Sequence, residues 1–194
     1  MQSHHHAGTM PPSAWVRAHA HLVPTGRVLD LACGSGRHAR FFAAAGWPVL
    51  AVDRDATALQ ALAGVDLIET RGCELETGAW PLQAATFAGV VVTHYLHRPR
   101  RAELMALLQA GGVLIYETFM AGHERHGRPS RPEFLLQPGE LLDWAHLFGL
   151  EVLAFEEATV RIPREACLQR LCARRPLDRS ILEVPTTHYP LPTE

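Results

Sequence analysis

Apolar positions along the chain fall into two patterns that alternate. Short continuous apolar runs read as buried strands, and between them apolar residues recur at helical spacing. The pattern predicts a helix over residues 13–22 with Ser13 as its N-cap. A strand is expected over 27–32, a helix over 37–45 closed by Gly46, Trp47 and Pro48, and a second strand over 48–52. A helix over 56–63 and a short strand over 65–70 follow. Residues 72–85 read as irregular, with turn signals at Gly78 and Pro81. The Val90, Val91, Val92 run marks a strongly buried strand over 87–93. Next come a helix over 100–110 stopped by Gly111 and Gly112, a strand over 113–117, and a long polar loop over 119–132. A helix over 138–148 breaks at Gly149, and runs at 150–156 and 167–173 read as paired final strands joined through Ile162 and Pro163. Strands alternating with helices predict an α/β domain around a mostly parallel sheet.

Length and composition narrow this further. A chain of 194 residues with 47% hydrophobic and 20% charged residues suits one globular domain. The expected organisation is a flexible N-terminus over 1–12, one domain over 13–175 and an extended proline-rich tail over 176–194. A net charge of -2 supplies no global field for nucleic acid or an anionic membrane, so neither partner is expected. All 18 basic residues are arginine, and the absence of lysine removes Schiff-base and P-loop chemistry. Cys33, Cys73, Cys167 and Cys172 show no metal-binding spacing; they are expected to be reduced and mostly packed, as in a cytoplasmic protein, and no metal is expected. Neither a signal segment nor a membrane-length apolar stretch is seen.

The candidate chemistry starts with Val28-Leu-Asp-Leu-Ala-Cys-Gly-Ser-Gly36 ahead of a helix. Glycines there let the backbone turn and approach a ligand, and the helix start offers unpaired N–H groups. Asp30 is expected to direct its carboxylate into the same crevice. Asp53, at the end of the second strand, stands where an acid can accept protons from both ribose hydroxyls. A nicotinamide oxidoreductase would share this layout, but Ala39 replaces its third glycine and a carboxylate at Asp30 would repel a pyrophosphate.

Asp30-Leu-Ala-Cys-Gly-Ser-Gly36 together with Asp53 resembles the first two cofactor motifs of class I S-adenosylmethionine-dependent methyltransferases. The finer likeness is to small bacterial members of the tellurite-resistance and thiopurine type, on Gly122-His-Glu-Arg-His-Gly-Arg-Pro129 and on Phe134 to Leu141. The resemblance implies a Rossmann-like seven-stranded, mostly parallel sheet with an antiparallel last strand and helices on both faces. It implies S-adenosylmethionine as cofactor and a small-molecule acceptor, with the protein a monomer or homodimer. It places Asp30, Ala32, Gly34, Gly36, Asp53, Arg54, Cys73, Glu74, Leu75 and Thr93 at the cofactor.

For catalysis the Thr93-His-Tyr-Leu-His-Arg98 segment offers the densest polar cluster. His94 is the candidate base. His97 and Arg98 either bind an anionic acceptor or cap and solvate the next helix. His123, His126 and Arg128 belong to a loop that either covers the acceptor or is ordinary surface, and Trp15 and His19 either close the pocket or pack structurally. A cofactor-binding protein without turnover is the alternative of a different class.

Overall fold

The computed structural model describes residues 10–161 and 164–177. Most of the expected flexible start and tail, and the Ile162 and Pro163 link, lie outside the described residues. Seven strands form one sheet: β1 (Val28–Leu31), β2 (Val49–Asp53), β3 (Ile68–Gly72), β4 (Phe87–Thr93), β5 (Leu108–Phe119), β6 (Glu151–Val160) and β7 (Ala166–Arg174). Their order is β3-β2-β1-β4-β5-β7-β6. The pairings from β3 to β5 are parallel, and β7 is antiparallel to both of its neighbours. Only the last strand is therefore reversed. The chain builds outward from β1 to β3, then returns to place β4 on the other side of β1. That reversal opens a crevice beyond the carboxyl ends of β1 and β4.

Strand alternation sorts the core into two layers. Leu29, Leu31, Leu50, Val52, Val90, Val92, Leu114 and Tyr116 face helices α4 (Arg101–Ala106) and α5 (Glu140–Leu147). Val28, Val49, Ala51, Val91, Val113 and Ile115 face α1 (Ala14–His19), α2 (Arg37–Ala44) and the turn after α3 (Ala56–Gln60). Strands covered on both faces read as unbroken apolar runs, which is why β1, β2 and β4 were legible. Ser13 caps α1 as expected, its side-chain oxygen accepting from the Trp15 and Val16 amides. A 3₁₀ turn at Ala20–Leu22 ends that segment.

Two expectations are corrected. The helix expected over 100–110 stops at Ala106, and β5 already begins at Leu108. Leu107 and Leu108 are fully buried and continue the helix's apolar pattern, so periodicity overran the boundary. Gly111 and Gly112 lie inside β5 at an irregular register with β4. A Cβ on Gly112 would lie 2.8 Å from the Phe87 carbonyl oxygen and 2.9 Å from that of Gln109. The strand expected over 65–70 runs instead over Ile68–Gly72, because Leu67 sits in a turn with φ 63° and is half exposed.

Replacing Gly112 by Ala forces a side chain against backbone that cannot yield cheaply. The variant is expected to lose about 1–3 kcal/mol in urea denaturation. Wild-type stability would show that the β4–β5 irregularity tolerates a Cβ.

Candidate active site

The two loop glycines serve different ends. Gly34 adopts φ 52°, and nothing lies within 4 Å of the position a Cβ would take, so its backbone stands open. Its N–H donates to Asp53 Oδ2 at 2.8 Å, which ties the loop to the end of β2. Gly36 adopts φ 73°, and an added Cβ would lie 2.4 Å from Leu62 Cδ1. Gly36 therefore lets the start of α2 pack on the turn after α3, and it does not line the cleft.

The cleft at the strand ends holds two chambers that share Ala32 in their lining. The first, about 190 Å³, is lined by Asp53, Arg54, Cys73, Glu74, Leu75, Glu76 and Tyr95. The second, about 720 Å³, includes Gly34, Ser35, Arg37, Arg40, Thr93 and His94. Charge changes sign along it. Three carboxylates and Arg54 line the first chamber, whereas Arg37 and Arg40 line the second without a carboxylate. Eight residues expected at a cofactor thus line these two adjoining chambers: Ala32, Gly34, Asp53, Arg54, Cys73, Glu74, Leu75 and Thr93. Asp53 Oδ1 also accepts from the Asp55 amide at 2.9 Å, so two donors fix the carboxylate's orientation. Ala32 and His94 end β1 and β4 with φ 54° and 55°. Left-handed backbone at such residues costs about 1–3 kcal/mol and is held by its surroundings.

Asp30 is corrected. It is 1% exposed, faces α2, and accepts from the Ala39 amide at 2.9 Å through Oδ2. Its Oδ1 is buried and has no partner among the described residues. Burial raises its pKa to about 8, against the pull of the Ala39 N–H and Arg37. A neutral, buried carboxyl repels no pyrophosphate, so that argument against a nicotinamide cofactor falls.

His94 lines the second chamber, and its ring stacks on Phe119 with centroids 4.8 Å apart. Partial removal from water lowers its pKa; Glu117 pulls it up, while Arg37 and His123 push it down. The other proposed catalytic groups are not at the cleft. Arg98 grips Glu140 with Nε and Nη2 at 2.6 and 2.8 Å and donates to the carbonyls of Glu133 and Leu135. Its guanidinium is committed to pinning the β4–α4 connection to the start of α5. His97 lines neither chamber, and its Nε2 is buried without a partner among the described residues.

The polar loop is anchored. Met120 and Ala121 donate to the carbonyls of Cys167 and Leu136. His123 is buried and stacks on Phe119, on which His94 also stacks. His126 pairs with Glu165 at 3.4 Å, and Arg128 is exposed; neither lines the cleft. Trp15 lies under the Arg170 guanidinium at 5.9 Å and beside His19, again off the cleft lining. Arg170 in turn holds the buried Glu117 at 2.6 Å and Glu156 at 2.9 Å. Cys33 is buried, and burial raises its thiol pKa, which makes it a packed thiol and not a nucleophile. Sequence reasoning missed Arg37, Arg40 and His38, whose surroundings only the fold reveals. Among the described residues no group of three His, Cys, Asp or Glu is placed to hold a metal ion, and no helix is long and apolar enough to cross a membrane.

Residues 28–112, which span β1 to the middle of β5, match the family model for a methyltransferase domain. No curated protein matches the chain. The methyltransferase fold is shared with solved structures of low identity. A Methanosarcina mazei S-adenosylmethionine-dependent methyltransferase is 15% identical with a TM-score of 0.66, over 87% of this chain and 100% of that one. TehB from Haemophilus influenzae is 19% identical with a TM-score of 0.69, over 83% of this chain and 61% of that one. The Burkholderia thailandensis 1,6-didemethyltoxoflavin-N1-methyltransferase, crystallised with 1,6-didemethyltoxoflavin and S-adenosylhomocysteine, is 21% identical with a TM-score of 0.64, over 84% and 76%.

Two outcomes test this site. Arg98→Ala should lower unfolding stability by about 1–3 kcal/mol while leaving ligand affinity within about twofold; calorimetry showing the reverse would restore Arg98 to the site. Asp30 is raised from 3.8 in the unfolded chain to about 8 when folded, so it favours the fold most below pH 3.8 and loses that contribution as pH rises through 8. The stability of Asp30→Asn relative to wild type should therefore climb between pH 5 and 8, by up to about 1.4 kcal/mol per pH unit. A difference flat with pH contradicts a protonated Asp30.

Proposed function

We propose that this protein is an S-adenosylmethionine-dependent methyltransferase that acts on a small-molecule acceptor at the Thr93–His94 end of the cleft. The observation that carries the reading is that the two chambers adjoin at Ala32, with Asp53 lining one and Thr93 and His94 the other. S-adenosylmethionine fits the residues present. The carboxylates of the first chamber accept from sugar hydroxyls, the open Gly34 backbone admits close approach, and Arg37 and Arg40 face the end where a carboxylate belongs. When bound, the cofactor supplies a methyl group already activated on a sulfonium.

The protein's own contribution is alignment and proton handling. Asp53, held by the Gly34 and Asp55 amides, is preset to receive the ribose. Thr93 and His94 form the wall where an acceptor's reacting atom meets the methyl group. His94 is neutral at pH 7 because its pKa is lowered, so it can take the proton from a nitrogen or oxygen acceptor as the new bond forms. Phe119 behind the ring fixes its plane. A cytoplasmic location fits this chemistry, since the four cysteines are free thiols.

Calorimetry with S-adenosylhomocysteine is expected to show binding to wild type and at least a tenfold loss in Asp53→Ala, with none for NADPH. Equal affinity in the two proteins removes Asp53 from the site, and NADPH binding removes the proposal. With an acceptor in hand, His94→Ala should lower kcat and spare cofactor affinity. The wild-type pH profile should hold its activity down past pH 6.5 and lose it as His94 protonates below that value. An unchanged kcat rules His94 out as the base.

A further inference from the structure

His38 lies in the first turn of α2, is 1% exposed, and was not a candidate on sequence grounds. Its two ring nitrogens meet partners from different parts of the chain. The Ser13 backbone N–H points at Nε2 from 3.2 Å, and Thr93 Oγ1 lies 3.4 Å from Nδ1. A backbone N–H can only donate, so Nε2 must present its lone pair. Burial and the neighbouring Arg37 and His94 hold the ring neutral, with a pKa of about 3. The one remaining proton therefore sits on Nδ1 and is donated to Thr93 Oγ1. Having accepted there, the Thr93 hydroxyl keeps its own hydrogen, and it has no other partner among the described residues. Thr93 lines the basic chamber, so that hydrogen is free to serve a ligand.

We infer that His38 is a positioning residue that sets the Thr93 hydroxyl as a hydrogen-bond donor toward the amino-acid end of the bound cofactor. This rests on the cofactor reading above. It adds a residue that touches no ligand and a direction for a hydroxyl that either could donate or accept. The ring's two bonds together tie the first residue before α1 to the end of β4, so α1 is docked and Thr93 is oriented by one imidazole.

The test separates the two ring nitrogens. Asn at this position offers a donor where Nδ1 was; Gln offers an acceptor to Ser13 where Nε2 was. Calorimetry is run with S-adenosylhomocysteine and with 5′-methylthioadenosine, which lacks the amino-acid end. H38Q and T93V should bind S-adenosylhomocysteine about fivefold more weakly, the loss of one hydrogen bond, while 5′-methylthioadenosine affinity stays within about twofold. H38N and T93S should stay near wild type for both. Equal weakening of both ligands, an unaffected H38Q, or an H38N no better than H38Q would overturn the inference. If the His38 variants fail to fold, T93V decides alone, and unchanged S-adenosylhomocysteine affinity in it overturns the inference. A wild type that binds 5′-methylthioadenosine and not S-adenosylhomocysteine also overturns it. A wild type that binds neither overturns the cofactor reading itself.

Discussion

Three parallel strands must end together for the site to exist. The pairing of Asp30 with Ala51 and with Val91 puts β1 in step with β2 and β4, so Ala32, Asp53 and Thr93 emerge along one edge. That register is enforced by burial on both faces, where a one-residue slip would turn apolar side chains to the wrong layer. The Gly34–Asp53 hydrogen bond then closes the first corner. With the strand ends fixed, short loops suffice to shape both chambers.

Beneath the loop the protein keeps its buried polar groups uncharged. Asp30 is raised and His38 lowered, both chiefly by desolvation, so each sits in its neutral form near pH 7. Among the described residues neither group has an ionic partner that would repay burying a charge. Charge is instead displayed on the cleft walls, acidic at Asp53, Glu74 and Glu76 and basic at Arg37 and Arg40. The division matches a ligand with hydroxyl donors at one end and an anionic group at the other.

The parts of the site that sequence reading reached were those with a local signature. The glycine loop, Asp53 and the end of β4 follow directly from strand–loop–helix patterning. Direction was harder. Asp30 belongs to the right motif, but as a residue of β1 in phase with Val28 it faces α2, and strand parity alone decides that. Arg98 reads as a free cation next to a histidine cluster until Glu140, 42 positions away, arrives to hold it. His38 was invisible because both its partners, at 25 and 55 positions' distance, meet it only in the fold. The helix over 100–110 failed for a related reason: Leu107 and Leu108 satisfy helical spacing and strand burial equally well.

The central claim is that Ala32 is the midpoint of one cofactor cleft. A crystal structure of the protein soaked with S-adenosylhomocysteine tests it most directly. The account predicts ribose hydroxyls on Asp53, the thioether beside Ala32 and the amino-acid end in the chamber of Arg37, Thr93 and His94. A ligand confined to one chamber, or seated with its ends exchanged, would contradict it.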